Sequence, residues 1–530
     1  MKHCVLITAM LCVTGVFLHA EETYNLEIVF RCTAWDSYPD LNVFGIALAG
    51  GDVNGDGYSD IAVEATHYVE GMETFGIDVY LFFGGPVMDT VYDAELHLPE
   101  HFGHCPSGLW IGDVNGDSIG DVLVGDEGGY GGCGDAWVFF GGSPFDTTAD
   151  LHLLGELSGS AFGRAVTGGD VNGDGGDDII IGSYCYNGFT LDGRVYVYYG
   201  GALLDSLPDV IIDGHDSEAF GKSVGSGGDV NSDGFEDIVV GADENSEAYW
   251  GAGKVYVFYG GNPMNTWPDC WLHGEGMTHY LGWFGCDIMQ NEEDYDMVIT
   301  GTSLYPYGFP NVAPGKVYLL QGGNPMDTLP DLWMIGQSDS SKLGMWCCSA
   351  GDVDGDGHED ALVGAPNDHG FLGTGYMWLG GVSMDTIPDA YLRGGFDGQD
   401  IGWKVASAGD IDGDGCDEMI FSNYAGVDPA IWVCKYTGPS VHEHASQIVN
   451  LNIHIKPNPF SHILNIDYSN LRNTNVDIRI FDITGREVMQ YAVEDKTRAS
   501  IDTRSLSDGV YFIEIRTGAH RVVEKGVKTK

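Results

Sequence analysis

Six stretches of this 530-residue chain place oxygen-bearing side chains at the same positions of a nine-residue loop. The first is Asp52-Val53-Asn54-Gly55-Asp56-Gly57-Tyr58-Ser59-Asp60, and versions of it begin at Asp113, Asp170, Asp229, Asp352 and Asp410. Carboxylate and amide oxygens at positions 1, 3, 5 and 9 of a short loop can surround a hard cation such as Ca²⁺. The candidate metal set takes positions 1, 3, 5, 7 and 9: Asp52, Asn54, Asp56, Tyr58 and Asp60; Asp113, Asn115, Asp117, Ile119 and Asp121; Asp170, Asn172, Asp174, Gly176 and Asp178; Asp229, Asn231, Asp233, Phe235 and Asp237; Asp352, Asp354, Asp356, His358 and Asp360; Asp410, Asp412, Asp414, Cys416 and Glu418. Up to six structural Ca²⁺ ions follow. Asp-Gly and Asn-Gly sequences favour turns in any case, but turn chemistry does not require the same oxygens six times. A helical calcium loop would need a carboxylate at position 12, where this chain has Val63, Val124, Ile181, Val240, Val363 and Phe421. Ser118 replaces a glycine expected at φ > 0, and Glu418 replaces the ninth aspartate. These two loops are expected to bind most weakly.

The elements that must hold these loops follow from their spacing. Successive first aspartates lie 61, 57 and 59 residues apart, Asp352 and Asp410 lie 58 apart, and the gap from Asp229 to Asp352 is 123. A seventh unit that has lost its acidic loop fits near Asp287. Each unit opens on an apolar-Gly pair: Phe44-Gly45, Phe102-Gly103, Phe162-Gly163, Phe220-Gly221, Phe284-Gly285, Leu343-Gly344 and Ile401-Gly402. A β-branched run follows each loop, as in Ile179-Ile180-Ile181, then an aromatic run ending in Gly-Gly, as in Val195-Tyr196-Val197-Tyr198-Tyr199-Gly200-Gly201, then a short fourth strand. Four antiparallel strands repeated seven times make an all-β fold, a seven-bladed β-propeller over 21–438. The last unit has three strands and an unmatched run, Asn25 to Cys32, precedes the first, so the N-terminal strand is expected to complete the last blade and remove an exposed edge. That pairing also suggests a disulfide between Cys32 and Cys434.

Charge divides the chain. It carries 79 acidic and 23 basic residues, net −56, yet 12 of the basic and 11 of the acidic residues lie after residue 439. The first 439 residues therefore carry a field that repels nucleic acid and anionic membranes, and metal ions held by the acidic loops would stabilise the fold by linkage. Met1-Lys2-His3, the apolar run Cys4 to Leu18, and Ala20 have the layout of a signal peptide over 1–20. The run is too short to span a bilayer, and no transmembrane span is expected in the mature chain. Export to an oxidising compartment permits disulfides among the remaining ten cysteines, with connectivity open. After a linker at 439–450, alternating strands over 451–530 read as a small C-terminal β-sandwich.

Two resemblances sharpen this reading. Pro457-Asn458-Pro459-Phe460, Phe481-Asp482-Ile483-Thr484-Gly485-Arg486, Leu506-Ser507-Asp508-Gly509-Val510-Tyr511-Phe512 and Lys525-Gly526-Val527-Lys528 resemble a type IX secretion C-terminal sorting domain. That resemblance implies a partner, the secretion machinery, and a location that is secreted or on the outer surface of a Gram-negative bacterium. The apolar-Gly pairs and acidic loops resemble the FG-GAP repeats of integrin α-subunit propellers, without an inserted adhesion domain. The resemblance implies calcium loops between strands 1 and 2 on one face and partners on the other. The loops between strands 2 and 3 would then form the binding face, where Tyr68, Tyr130, Tyr184, Tyr186, Tyr249, Trp250, Tyr305, Tyr307 and Tyr424 could stack on sugars or anchor protein contacts.

The leading function is a calcium-stabilised adhesion or recognition propeller for an extracellular protein or glycan. The alternatives are a polysaccharide-active lyase or hydrolase on the same scaffold, and a structural surface-layer component. No catalytic residue is assigned: His101 and His104, or His279 and Tyr280, have no partner that chemistry would require.

Overall fold

Seven antiparallel sheets account for the repeat. The computed structural model describes residues 21–438 apart from 34–40, 70–73, 99–107, 129–131, 186–190, 202–203, 292–294, 303–313, 339, 382–383, 397 and 424–428. Beyond them it describes 454–456, 463–467, 476–482, 486–493, 498–507, 509–517 and 520–528. In the first six blades the four strands pair in chain order, as in blade one: Leu41–Gly51, Asp60–Val69, Thr74–Phe82 and Ala94–His97. Blade seven supplies Lys404–Gly409, Glu418–Ser422 and Ala430–Tyr436, and Leu26–Thr33 from the N-terminal end is its fourth strand. Closure thus runs as the sequence predicts. One addition was not foreseen: Glu22–Tyr24 pairs with Ala390–Arg393 as a fifth strand of blade six, where Tyr24 stacks on Tyr391 at 5.6 Å.

The β-branched second strands are buried on both sides, as in Asp178–Ser183 and Ile238–Ala242, because each blade packs between two others. The cores lie between blades rather than within them. Phe162, opening blade three, packs with Leu123, Val138 and Leu153 of blade two and with Ile181 and Tyr196 of its own blade. Phe44 does the same at the closing seam, among Phe30, Phe82, Ile420 and Val433. The inner strands surround an axial channel of about 380 Å³, lined among others by Trp110, Arg164, Lys222, Trp283, Trp346 and Lys404.

Three expectations need correction. Cys434 pairs opposite Ile28, and Cys32 opposite Ile431, with a register shift between Ile28 and Phe30. The two cysteines are therefore out of step on adjacent strands, and both are buried free thiols. In blade five the opening pair is Leu281-Gly282, where Gly282 has φ 81° and Leu281 is fully buried in the seam with blade four. Phe284 instead stacks on Trp283, with ring centroids 4.8 Å apart. Asp287 lies on the inner strand Cys286–Met289, and its Oδ2 accepts from the Ser349 N–H at 3.1 Å. The degenerate loop begins at Gln290, whose N–H reaches the next blade in the way that first loop residues do elsewhere.

The chain divides after Gly438. In the C-terminal unit one sheet holds His454–Lys456, Ile463–Asp467 and Arg498–Asp502, and the other holds Val476–Asp482, Glu487–Val493, Gly509–Thr517 and His520–Lys528. No helix among the described residues is long and apolar enough to cross a membrane.

Ring closure is testable through Phe30, which is buried and meets Phe82 of blade one at 5.5 Å. Phe30→Ala should cost about 3–5 kcal/mol in urea unfolding, whereas Val29→Ala, at an exposed position of the same strand, should change little.

Candidate metal loops and the opposite face

Each acidic loop leaves the end of an inner strand and enters a fully buried second strand. Its first aspartate shapes the turn. Asp52 accepts from the N–H groups of Gly55, Asp56 and Gly57 at 2.7–3.2 Å, and the same pattern recurs at Asp113, Asp170 and Asp410. The fifth-position carboxylate accepts from the seventh-position N–H in all six loops: Tyr58, Ile119, Gly176, Phe235, His358 and Cys416. Ser118 adopts φ 69° and keeps its bond to Asp113, so serine fills the glycine conformation there.

The ninth residue ties the loop to the third strand. Asp60 accepts from Val53 at 2.9 Å and from Gly84 at 2.8 Å. Asp121, Asp237 and Asp360 make equivalent pairs of bonds to Val114 and Gly141, Val230 and Gly260, and Val353 and Gly380. Burial raises the pKa of these carboxyls, and neighbouring loop carboxylates add to the rise while the backbone N–H bonds oppose it. Asp60, Asp121 and Asp178 are pushed up to about 7, and Asp237 to about 8.

These same loops form the seams between blades. The carbonyl of the first loop residue accepts from the eighth residue of the next blade: Asp52 from Gly120 at 2.7 Å, Asp113 from Asp177 at 2.9 Å, Asp352 from Asp417 at 2.9 Å, and Asp410 from Ser59 at 3.0 Å. The second carbonyl accepts from the Gly-Gly that ends the next blade's third strand, as in Gly142 to Val53 at 2.9 Å, Gly201 to Val114 at 2.8 Å and Gly85 to Ile411 at 2.8 Å. The preceding glycine has no room for a side chain: a Cβ on Gly200 would stand 2.1 Å from the Asp177 carbonyl oxygen. Position 7 covers position 4 of the previous loop. A Cβ on Gly55, Gly173 or Gly413 would stand 3.1, 2.7 or 2.6 Å from Ile119, Phe235 or Tyr58. Ser232 stands at that fourth position in blade four, with φ 56°. Sequence reading passed over this departure.

The donors suit a hard divalent cation. Asn172 turns its Nδ2 to Asp178 at 2.9 Å, and its buried Oδ1 has no hydrogen-bond donor; the Oδ1 of Asn231 is likewise buried without a donor. Asp352, Asp354 and Asp356 converge within 4.8 Å, as do Asp410, Asp412 and Glu418. In blade seven, Lys435 Nζ lies 2.7 Å from Asp412, 2.5 Å from Asp414 and 3.4 Å from Glu418.

The antiparallel strand order sends the starts of the inner strands and the loops between strands 2 and 3 to the face opposite the acidic loops. Of the aromatic residues expected there, Tyr249 and Trp250 are exposed, and Lys222 Nζ stands 3.4 Å from the ring centroid of Tyr184. Tyr68 lies on the second strand of blade one; Tyr130, Tyr186, Tyr305, Tyr307 and Tyr424 fall outside the described residues, as do His101 and His104. Burial, with the charge of Lys316, pushes His279 down to about 4, so it is a neutral buried group. Reading the sequence also missed an aromatic path. Tyr280 and Trp283 are 5.5 Å apart, Trp283 and Phe284 4.8 Å, and Phe284 and Trp346 6.0 Å, with Lys404 Nζ 3.2 Å from the Trp346 centroid.

The raised carboxyl pKa values give a pH test with a definite sign. Their ionisation is disfavoured in the metal-free fold, so that stability is fully present below the unfolded pKa of about 4 and is lost as pH rises through about 7 to 8. In chelator, thermal melts should fall by several degrees from pH 5.5 to pH 8.5. Saturating Ca²⁺ should largely remove that fall, and an equal slope with and without Ca²⁺ would contradict this account.

Comparison with known proteins agrees with this geometry. Residues 44–71, 162–198 and 220–258 match the family model described as the FG-GAP repeat, and residues 454–529 match the secretion system C-terminal sorting domain. Integrin alpha-5 of Xenopus laevis is 33% identical over 208 residues, covering 37% of this chain and 19% of that protein. Integrin alpha-3 of Mus musculus is 36% identical over 128 residues, 23% of this chain and 12% of its own length. Integrin alpha-6 of Homo sapiens is 36% identical over 144 residues, 25% of this chain and 12% of its own length. The matched region is thus a minor part of each relative. The propeller is built of FG-GAP repeats similar to those of integrin α-subunits, and the chain ends in a secretion system C-terminal sorting domain.

Proposed function

We propose that this is an exported recognition protein, carried to the cell surface or released by its C-terminal sorting domain, whose calcium-stabilised propeller binds an extracellular protein or glycan. Residues 1–20 act as the signal peptide, and the acidic loops hold structural Ca²⁺. The ligand is bound on the face opposite those loops, at the mouth of the axial channel.

The observation that carries this reading is the pairing of an aromatic path with two lysines that lack a carboxylate partner. Trp250 is exposed on the rim, and its loop rests on the Tyr280 turn through Thr278 N–H to Trp250 O at 2.9 Å and Tyr280 N–H to Gly251 O at 3.0 Å. From there the path runs through Trp283 and Phe284 to Trp346 and Lys404. Flat rings of this kind suit the apolar faces of sugars and protein side chains. Most cations of the propeller are committed: Arg194 to Glu156 and Asp213, Lys254 to Glu247, Lys316 to Glu275, and Arg393 to Glu22. Among the described residues no carboxylate lies within ion-pair distance of Lys222 or Lys404. Glu64 and Asp287 act on Lys404 from further away, and Asp243 and Glu127 on Lys222. Burial pushes Lys404 down to about 7. A ligand carboxylate at the channel mouth would relieve that penalty, which favours partners that present an acidic group beside an apolar face.

Binding of the calcium-loaded protein to arrayed oligogalacturonate, its carboxyl-reduced form and neutral oligosaccharides tests the reading. Carboxylated probes should bind best. Lys404→Met and Lys222→Met should each weaken binding about tenfold or more, the scale of a lost charge-assisted hydrogen bond. Trp283→Ala should weaken acidic and neutral probes alike. Binding that ignores all three substitutions would place the ligand elsewhere.

A further inference from the structure

The acidic loop of blade seven departs from the other five in two ways that meet in space. Its ninth residue is Glu418 where the others have aspartate. Across from it on the third strand stands Lys435, where the other blades have Phe83, Phe140, Tyr199, Tyr259, Gln321 and Leu379. The Lys435 ammonium lies 2.7 Å from Asp412, 2.5 Å from Asp414 and 3.4 Å from Glu418, which are positions 3, 5 and 9 of the loop. It therefore touches three of the carboxylates that the repeat elsewhere offers to a metal. Glu418 Oε1 is fully buried and has no hydrogen-bond donor, while its Oε2 accepts from Ile411 N–H at 3.0 Å. The longer side chain keeps the ninth position's tie within the loop and still turns an oxygen toward the lysine. In blades one to four, no lysine, arginine or histidine nitrogen among the described residues stands on the loop carboxylates.

We propose that Lys435 is the resident cation of the seventh loop, so that the propeller takes up five divalent ions and closes its ring without one. This inference rests on the calcium reading of the other five loops. One ammonium among these carboxylates offsets part of their mutual repulsion and pairs closely with Asp412 and Asp414, and a divalent ion would have to expel the lysine to enter. The location gives the substitution its consequence. Asp410 and Ile411, the carbonyls of this loop, accept from Ser59 and Gly85 of blade one, and the strand carrying Lys435 is the one to which the N-terminal strand is added. A covalently attached cation thus holds the seam where the two ends of the repeat array meet. When calcium falls, the five metal-bearing loops lose their ions, but the closing seam keeps its lysine.

Native mass spectrometry of the calcium-loaded mature protein counts the ions directly. Five are expected for the unaltered chain, five for Asp414→Asn, four for Asp356→Asn and six for Lys435→Met. Thermal melts in chelator add a readout that does not depend on the count: Lys435→Met should melt several degrees below the unaltered protein and regain the difference in Ca²⁺. Six ions on the unaltered chain, a lower count in Asp414→Asn, or a Lys435→Met protein unchanged in both count and chelator melt would each overturn the proposal. If no ion bound anywhere, the calcium reading of the other loops would fall, and the chelator melt would still decide whether the lysine holds the seam.

Discussion

The propeller depends on a backbone contact that the acidic loops make outside themselves. The carbonyls of loop positions 1 and 2 point at the next blade and accept its N–H groups, as Asp52 and Val53 do from Gly120 and Gly142. A carbonyl is aimed this way only if the loop is tightly coiled, and the coil brings several carboxylates together. Their mutual repulsion in a partly buried setting opposes folding unless a cation offsets it. A metal held there would therefore be coupled to blade docking through one loop. The first glycine of the Gly-Gly pairs and the fourth-position glycines Gly173 and Gly413 follow from the same packing, since a Cβ on Gly200 would meet the carbonyls of Asp177 and Val114 and a Cβ on Gly173 or Gly413 the ring of Phe235 or Tyr58.

Much of this was legible in the sequence because the repeat encodes it. Period, strand grammar and the unmatched N-terminal run specify seven blades and the way the ring closes. What escaped was local register. In blade five, Phe284-Gly285 imitates the opening pair, but the residue that fills the inter-blade core is Leu281, and Phe284 goes to the channel. Lacking a visible acidic loop, that unit offered nothing to fix its register. Cys32 and Cys434 were correctly placed on adjacent strands, yet the register shift between Ile28 and Phe30 carries them out of step. A shift of that kind has no sequence signature. Lys435 could have been found, since it is the one cation at a site otherwise filled by aromatic, aliphatic or amide side chains.

The two faces of the ring divide the work. On one face, acidic side chains are spent on loop geometry and seams, and six of the seven loops are variations on a single solution. On the other, the blades differ from one another, and irregular residues collect: Trp283 beside Phe284, Trp346 beside Lys404, and Tyr184 beside Lys222. Recognition needs a unique surface, and a repeat supplies one only where its units have diverged. In a propeller so rich in carboxylates, two lysines at the channel mouth without a close acidic partner among the described residues are the chemical counterpart of that divergence.

The central claim is that cation-filled acidic loops hold the blades together. Hydrogen exchange of the seam amides, followed in calcium and in chelator, tests it most directly. Gly120, Gly142, Asp177, Gly201 and Asp417 should lose protection when the metal is removed, while Ser59 and Gly85 at the closing seam should retain theirs. Equal protection of all these amides in both conditions would contradict the account.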